Sequence, residues 1–279
     1  MSEYMPYLPE SGGGWKRKFE IIIPVILLIV ILFIVAWKMG WLAFIPGFGS
    51  TTINAVIIGN DAQLVSTIET YLRPSMNINY DVLDANELKN IRDSAYFGKY
   101  SLLIMTEGVD GDTIPLESNT LDYLKDFAGS NKPILIVGRS GYLVSGSANE
   151  RGWSKLGFVP VVCKEDSDCI KTASTWSSSW TPFTTAGNTT LYVRNTQHSM
   201  LTSFQPTLSF DAGIGSIGYV DINPVGGTSL IDMGTSTGTT VSAVVESGTG
   251  LVSSKVMYFA FHPSKQPALF KAAVDYITG

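Results

Sequence analysis

The chain has 279 residues, enough to bury a full core, yet only 15% are charged, against about a quarter in a typical soluble domain. The first 49 residues hold four basic and three acidic side chains, so the other 230 hold 15 basic and 21 acidic, a net of −6. A mildly acidic body without a Lys/Arg cluster is no phosphate-backbone reader, and no nucleic-acid partner is expected.

Residues 1–18 read as a cytoplasmic tail that ends in Lys16-Arg17-Lys18. Ile21 to Trp37 (IIIPVILLIVILFIVAW) is a run of seventeen uncharged residues, which as a helix covers roughly 25 Å. Lys38 can snorkel, and Met39 to Ile45 is again apolar, so the span can reach the hydrocarbon thickness of about 30 Å. A transmembrane helix is therefore expected over residues 19–45, with lipid contact over 21–45. Pro24 falls in its first turn, and Trp15, Trp37 and Trp41 sit where an aromatic belt would place them. The basic triplet precedes the span and a lone Lys follows it. The expected topology is single-pass in the cell membrane, with the N-terminus cytoplasmic and the body outside. Two alternatives stand beside this anchor. A cleaved signal peptide would have a shorter apolar core and an A-x-A-like site, which is missing. A pilin-like helix is suggested by the triplet and Glu20, but the small residue at the processing point is absent.

Residues 46–52 form a Pro/Gly/Ser linker, and the body occupies 53–279. Ala55–Ile58 reads as a buried strand, followed by Leu64, Ile68, Tyr71 and Leu72 at helical spacing. Strands are predicted at Ile78–Leu83, Tyr100–Met105 and Pro133–Val137, with a helix marked by Leu121, Leu124 and Phe127 before the last. Alternating strands and helices with nearly continuous apolar strand runs predict βαβ units and a mainly parallel α/β sheet flanked by helices. From Lys171 to Thr190, eleven of twenty residues are Ser or Thr. Beyond come Ser216–Ile222, Thr228–Met233, Val241–Glu246 and Lys255–Phe261 with Gly-rich turns, then a helix at Ala268–Ile277. These predict antiparallel C-terminal strands added to the first sheet.

Four segments resemble the class I glutamine amidotransferase-like, flavodoxin-like fold. PILIVGRSGY (Pro133–Tyr142) falls at that family's strand-to-helix nucleophile turn, and WSKLGF (Trp153–Phe158) is similar to its "LGF" segment. TQHSML (Thr196–Leu201) resembles a His-Pro-hydrophobic motif, and SSKVMYFAFHP (Ser253–Pro263) resembles the terminal strand before the last helix. The resemblance covers roughly residues 53–279. It implies a Cys nucleophile on the turn, but that position here is Gly138, with Arg139 and Ser140 after it. A glutaminase reaction is not expected.

Ser140 is the candidate replacement nucleophile, with His262 or His198 as base and Glu107 as a cleft-facing carboxylate. The segment is G-x-S-G, not the G-x-S-x-G elbow. The plainer readings are a helix N-cap for Ser140, loop hydrogen bonds for each His, and an exposed loop carboxylate for Glu107. Asn60, Glu107, Gly138, Arg139, Ser140 and His262 all lie near strand ends, where open α/β sheets bind ligands. Cys163 and Cys169, the only cysteines, are expected to form a disulfide outside the cytoplasm; with no neighbouring His they make a poor metal site. Asn188 begins a glycosylation sequon. No cofactor and no metal are expected. The leading expectation is a non-catalytic extracytoplasmic domain for binding or assembly, with protein partners in the membrane or envelope. A hydrolase or a subunit of a surface filament or envelope complex are the alternatives.

Overall fold

The computed structural model describes residues 26–32, 35, 52–107, 116–142, 153–164, 183–185, 190–210, 217–234, 238–248 and 254–279. It separates into two units, Met1–Thr51 and Thr52–Gly279. In the first, residues 26–32 and 35 are helical, and their apolar side chains are about half exposed. Among the described residues no helix is long and apolar enough to cross a membrane. Most of the span expected over 19–45 lies outside them.

The second unit is an α/β fold. Strand β1 (Ile53–Ile58) leads to helix α1 (Ala62–Thr67), which continues as a wider turn over Ile68–Leu72 where the Arg73 amide reaches back to the Ile68 carbonyl. There follow β2 (Ile78–Leu83), α2 (Ala85–Asn90), α3 (Ala95–Gly98), β3 (Leu102–Met105), α4 (Ser118–Gly129) and β4 (Ile134–Val137). Then come β5 (Val161–Cys163), β6 (Phe183–Thr185), β7 (Thr190–Val193), β8 (Thr207–Ser209), β9 (Ile217–Tyr219) and β10 (Ile222–Pro224). The chain closes with β11 (Gly227–Gly234), β12 (Thr240–Ser247), β13 (Val256–Phe259) and α5 (Pro267–Thr278).

Nine strands make one sheet in the order β2-β1-β3-β4-β13-β12-β11-β7-β8. The first five run parallel, and β12, β11, β7 and β8 add on antiparallel. The expected mixed sheet, with a parallel core and antiparallel C-terminal strands, is what forms. Its 2-1-3-4 start is the flavodoxin-like winding, whose switch point lies between β1 and β3. Alternate residues feed opposite faces. Ala55 and Ile57 pack with Leu64, Ile68 and Leu72 of the first helical segment and with Leu269, Phe270 and Val274 of α5. Val56 and Ile58 face Leu121, Leu124 and Phe127 of α4 with Phe97 and Trp153. Tyr71, predicted on the buried stripe, is half exposed.

Ser216–Ile222, predicted as a single strand, divides into β9 and β10, which pair with β6 and β5 in separate two-stranded sheets. Tyr219 joins the α5 side of the core, and Val220 and Ile222 join the α4 side. The two edges of the large sheet also differ. Strand β8 has three residues, and the Gln266 side chain donates to its Ser209 carbonyl at 3.0 Å. Strand β2 has six.

Candidate functional site at the ends of the parallel strands

The parallel strands deliver two polar clusters to their C-terminal ends. At the switch point the chain needs a glycine. Gly59 has φ +135, and a Cβ there would sit 2.4 Å from the Thr106 carbonyl oxygen. This close approach lets Asp61 serve two elements. One carboxylate oxygen caps α1 by accepting the Leu64 amide at 2.9 Å. The other accepts the Thr106 hydroxyl at 2.7 Å and faces His262 Nε2 at 2.8 Å. His262 in turn caps the short 310 turn Pro263–Lys265, its Nδ1 accepting the Ser264 amide at 3.2 Å with the Ser264 hydroxyl at 2.7 Å. A ring nitrogen that accepts an amide proton carries none, so Nε2 is the one that donates to Asp61. Burial would raise the Asp61 carboxyl, but the His262 hydrogen bond, with the Leu64 amide and Thr106 hydroxyl, outweighs it and holds it below its ordinary range.

The second cluster joins β3 to the turn after β4. Glu107 and Arg139 are 1% and 3% exposed. The guanidinium grips the carboxylate in a fork, Nε to one oxygen at 3.0 Å and a terminal nitrogen to the other at 2.7 Å. The Arg139 backbone amide donates to the same carboxylate. Burial pushes the Glu107 carboxyl above its ordinary range, and the charge and hydrogen bonds of Arg139 only partly offset it. Glu107 is thus not the exposed loop carboxylate read from the sequence but a buried one paired with Arg139.

The turn itself keeps an elbow-like kink, with Gly138 at φ +60 and Gly141 at φ +77. A Cβ on Gly141 would meet Met105 and Leu156 side chains at 2.7 and 2.8 Å. Ser140, 3% exposed, directs its hydroxyl at the Val137 and Met105 carbonyls, 2.8 and 2.9 Å away. Its carbonyl accepts the Trp153 indole N–H at 2.9 Å. Ser140 therefore stitches the turn to β3; neither imidazole is among its partners. The helix it was predicted to cap lies outside the described residues. The Tyr258 hydroxyl, beneath this cluster, is buried without a hydrogen-bond partner among the described residues. Burial first, then the charge of Glu107, pushes it well above the ordinary phenol range.

The remaining predicted residues sit apart. Asn60 is exposed in the turn after β1. His198, between β7 and β8, bonds Glu246 of β12 through Nε2 at 3.0 Å, and its ring stands edge-on to Tyr276 of α5 with centroids 4.7 Å apart. The Tyr276 hydroxyl takes the other Glu246 oxygen at 2.6 Å. Cys163 ends β5; Cys169 and Asn188 lie outside the described residues. Asp61, Thr106 and Ser264 were missed by sequence reasoning. A capping Asp three residues before Leu64 was legible, but its bond to an imidazole 201 positions away was not.

Chemically, an elbow enzyme needs a nucleophile at the kink and a free amide on the next residue for the oxyanion. Here the kink residue has no side chain and the next amide is held by Glu107. The Ser264–His262–Asp61 chain has the order of a catalytic triad, but the neighbouring amides are spent: Ser264 on His262 Nδ1, Lys265 on the His262 carbonyl, Gln266 on the Pro263 carbonyl. No group of three or more metal-ligating side chains occurs among the described residues.

No protein-family model matches the chain, and no curated protein matches it in sequence. Solved structures match its fold. A cytoplasmic protein of Salmonella typhimurium aligns with TM-score 0.51 and 11% identity over 80% of this chain and 98% of its own. ThuA-like proteins of Parabacteroides merdae (TM-score 0.52, 13% identity, 82% and 90% covered) and Bacteroides uniformis (0.53, 10%, 81% and 91%) align similarly. These are class I glutamine amidotransferase-like folds. At such identities the likeness concerns fold alone.

Proposed function

We propose that this chain is a membrane-anchored, non-catalytic domain that serves binding or assembly on the extracytoplasmic side of the cell membrane. The observation that carries the reading is the closed strand-end site: Gly138 stands at the nucleophile position, and Glu107 occupies the Arg139 amide and guanidinium. The anchor is the apolar stretch 19–45. The Lys16-Arg17-Lys18 flank sets its direction, and a Cys163–Cys169 bond suits an oxidising compartment.

The test is made on the intact chain in its membrane. Added protease should degrade the body from the outer side only and leave the 1–18 tail protected. Purified protein should show no glutaminase or esterase turnover above a Ser140→Ala variant. Hydrolysis that disappears in that variant would transfer the reading to a hydrolase, and protease protection of the body would sink the topology.

A further inference from the structure

The binding reading lacks a surface, and the long edge of the sheet supplies one. The Ile53 amide bonds the Asn77 carbonyl at 2.8 Å and the Gly59 amide bonds the Leu83 carbonyl at 3.1 Å. In the parallel register between them, Asn79 and Asp81 also turn their backbone groups inward to β1. Tyr80 and Val82 therefore turn their N–H and C=O groups outward, where β2 has no neighbouring strand among the described residues. The Ile78 amide is already used on the Met76 carbonyl at 3.0 Å.

On the inner side of β2, toward β1 and the start of β3, lies a groove of about 260 Å³ lined by Asn54, Asn79, Tyr80, Asp81, Lys99 and Tyr100. The Tyr100 hydroxyl and Lys99 both bond Oδ2 of Asp81, and these bonds, the tyrosine's first, hold its carboxyl below its ordinary range. The other carboxylate oxygen is unshared among the described residues. Lys99 is pinned 4.7 Å from the Tyr96 and Tyr100 ring centres.

We propose that β2 is a docking strand that accepts an extended segment of a partner protein, antiparallel, with a lysine or arginine placed opposite Asp81. A second copy of this chain fits badly. The register that uses the outward groups of both Tyr80 and Val82 pairs each with the other across a two-fold axis. It therefore sets Asp81 against its own copy at about 4.5 Å between Cα atoms, and like charges so placed repel. A basic segment meets the opposite condition, and the −6 net charge of residues 50–279 favours its approach. The inference rests on the binding reading and is independent of the anchor and of catalysis.

The test uses the full chain in detergent micelles and two acetylated, amidated peptides, TVKVT and TVEVT, followed by amide exchange at β2. Bound TVKVT should slow exchange at Tyr80 and Val82 about fivefold at roughly millimolar peptide, leaving Asn79 and Asp81 unchanged. TVEVT should do so at least about tenfold more weakly. Asp81→Lys, at an exposed position, should reverse the preference; Val82→Pro, which removes one outward donor, should abolish protection if the variant folds. No slowing at Tyr80 and Val82, equal slowing at all four amides, equal effects of both peptides, or a preference untouched by Asp81→Lys would each overturn the proposal. The protease and turnover assays above would then still judge the wider reading by themselves.

Discussion

The strand-end site and the β2 edge hold the same kinds of groups in opposite circumstances. At the strand ends a carboxylate, a guanidinium and a backbone amide are all buried and all spent on one another. At the edge, among the described residues, a carboxylate keeps an unshared oxygen and two residues turn backbone groups away from the sheet. Buried charges must be paired at once, because desolvation of an unpaired ion costs several kcal/mol. Exposed ones can wait for a partner. The comparison teaches that groups of the same kind differ in what they can still bind: those at the strand ends are satisfied within the fold, and those at the edge are left to solvent.

Several changes would break that contrast, in decreasing order of effect. Glu107→Ala removes the forked carboxylate partner of the buried Arg139 guanidinium and should cost about 3–5 kcal/mol in chemical denaturation. Replacing both partners, Glu107→Leu with Arg139→Met, should recover most of that loss. If the single variant loses under about 1 kcal/mol, the pair does not close the site. Gly59→Val drives a branched side chain into the Thr106 backbone and should cost about 2–4 kcal/mol by thermal unfolding; a near-neutral result would mean the β1 and β3 ends do not approach as described.

Acid sensitivity comes next. Asp61 titrates lower folded than unfolded, so its stabilisation is full above its ordinary value of 3.8 and disappears as pH falls through the lower folded value. Asp61→Asn should destabilise at pH 7 by about 1–2 kcal/mol and by less as pH drops below the ordinary value. Parallel losses at both ends of the range would refute the linkage. Tyr258→Phe should act the other way, raising stability by about 1 kcal/mol, because it deletes a buried hydroxyl without a partner. At the edge, Lys99→Ala should move stability by no more than about 0.5 kcal/mol. Its visible effect should be on peptide docking.

Much of this was legible in the chain. The apolar runs at Ala55–Ile58 and Pro133–Val137 announce parallel strands because both faces of such strands are covered. The Gly138 position announces a missing nucleophile because the neighbouring segments fix the turn. What escaped depends on long-range closure. Glu107 reads as a loop carboxylate until the fold brings Arg139 beside it, 32 positions on. His262 looks like a free base until Asp61 claims one nitrogen and its own turn claims the other. The break at Val220 escaped too, since the two halves keep one apolar alternation and differ only in the distant strands they pair with.

The chain enters the folded body at residue 52 and passes at once into β1, which is held by β2 on one side and β3 on the other. This has a mechanical consequence. A pull on residue 52 runs along β1 and loads both ladders in shear, so their bonds share the force instead of parting one by one like a zip. Rupture under load depends on the rate of unfolding, and shear along two ladders slows it.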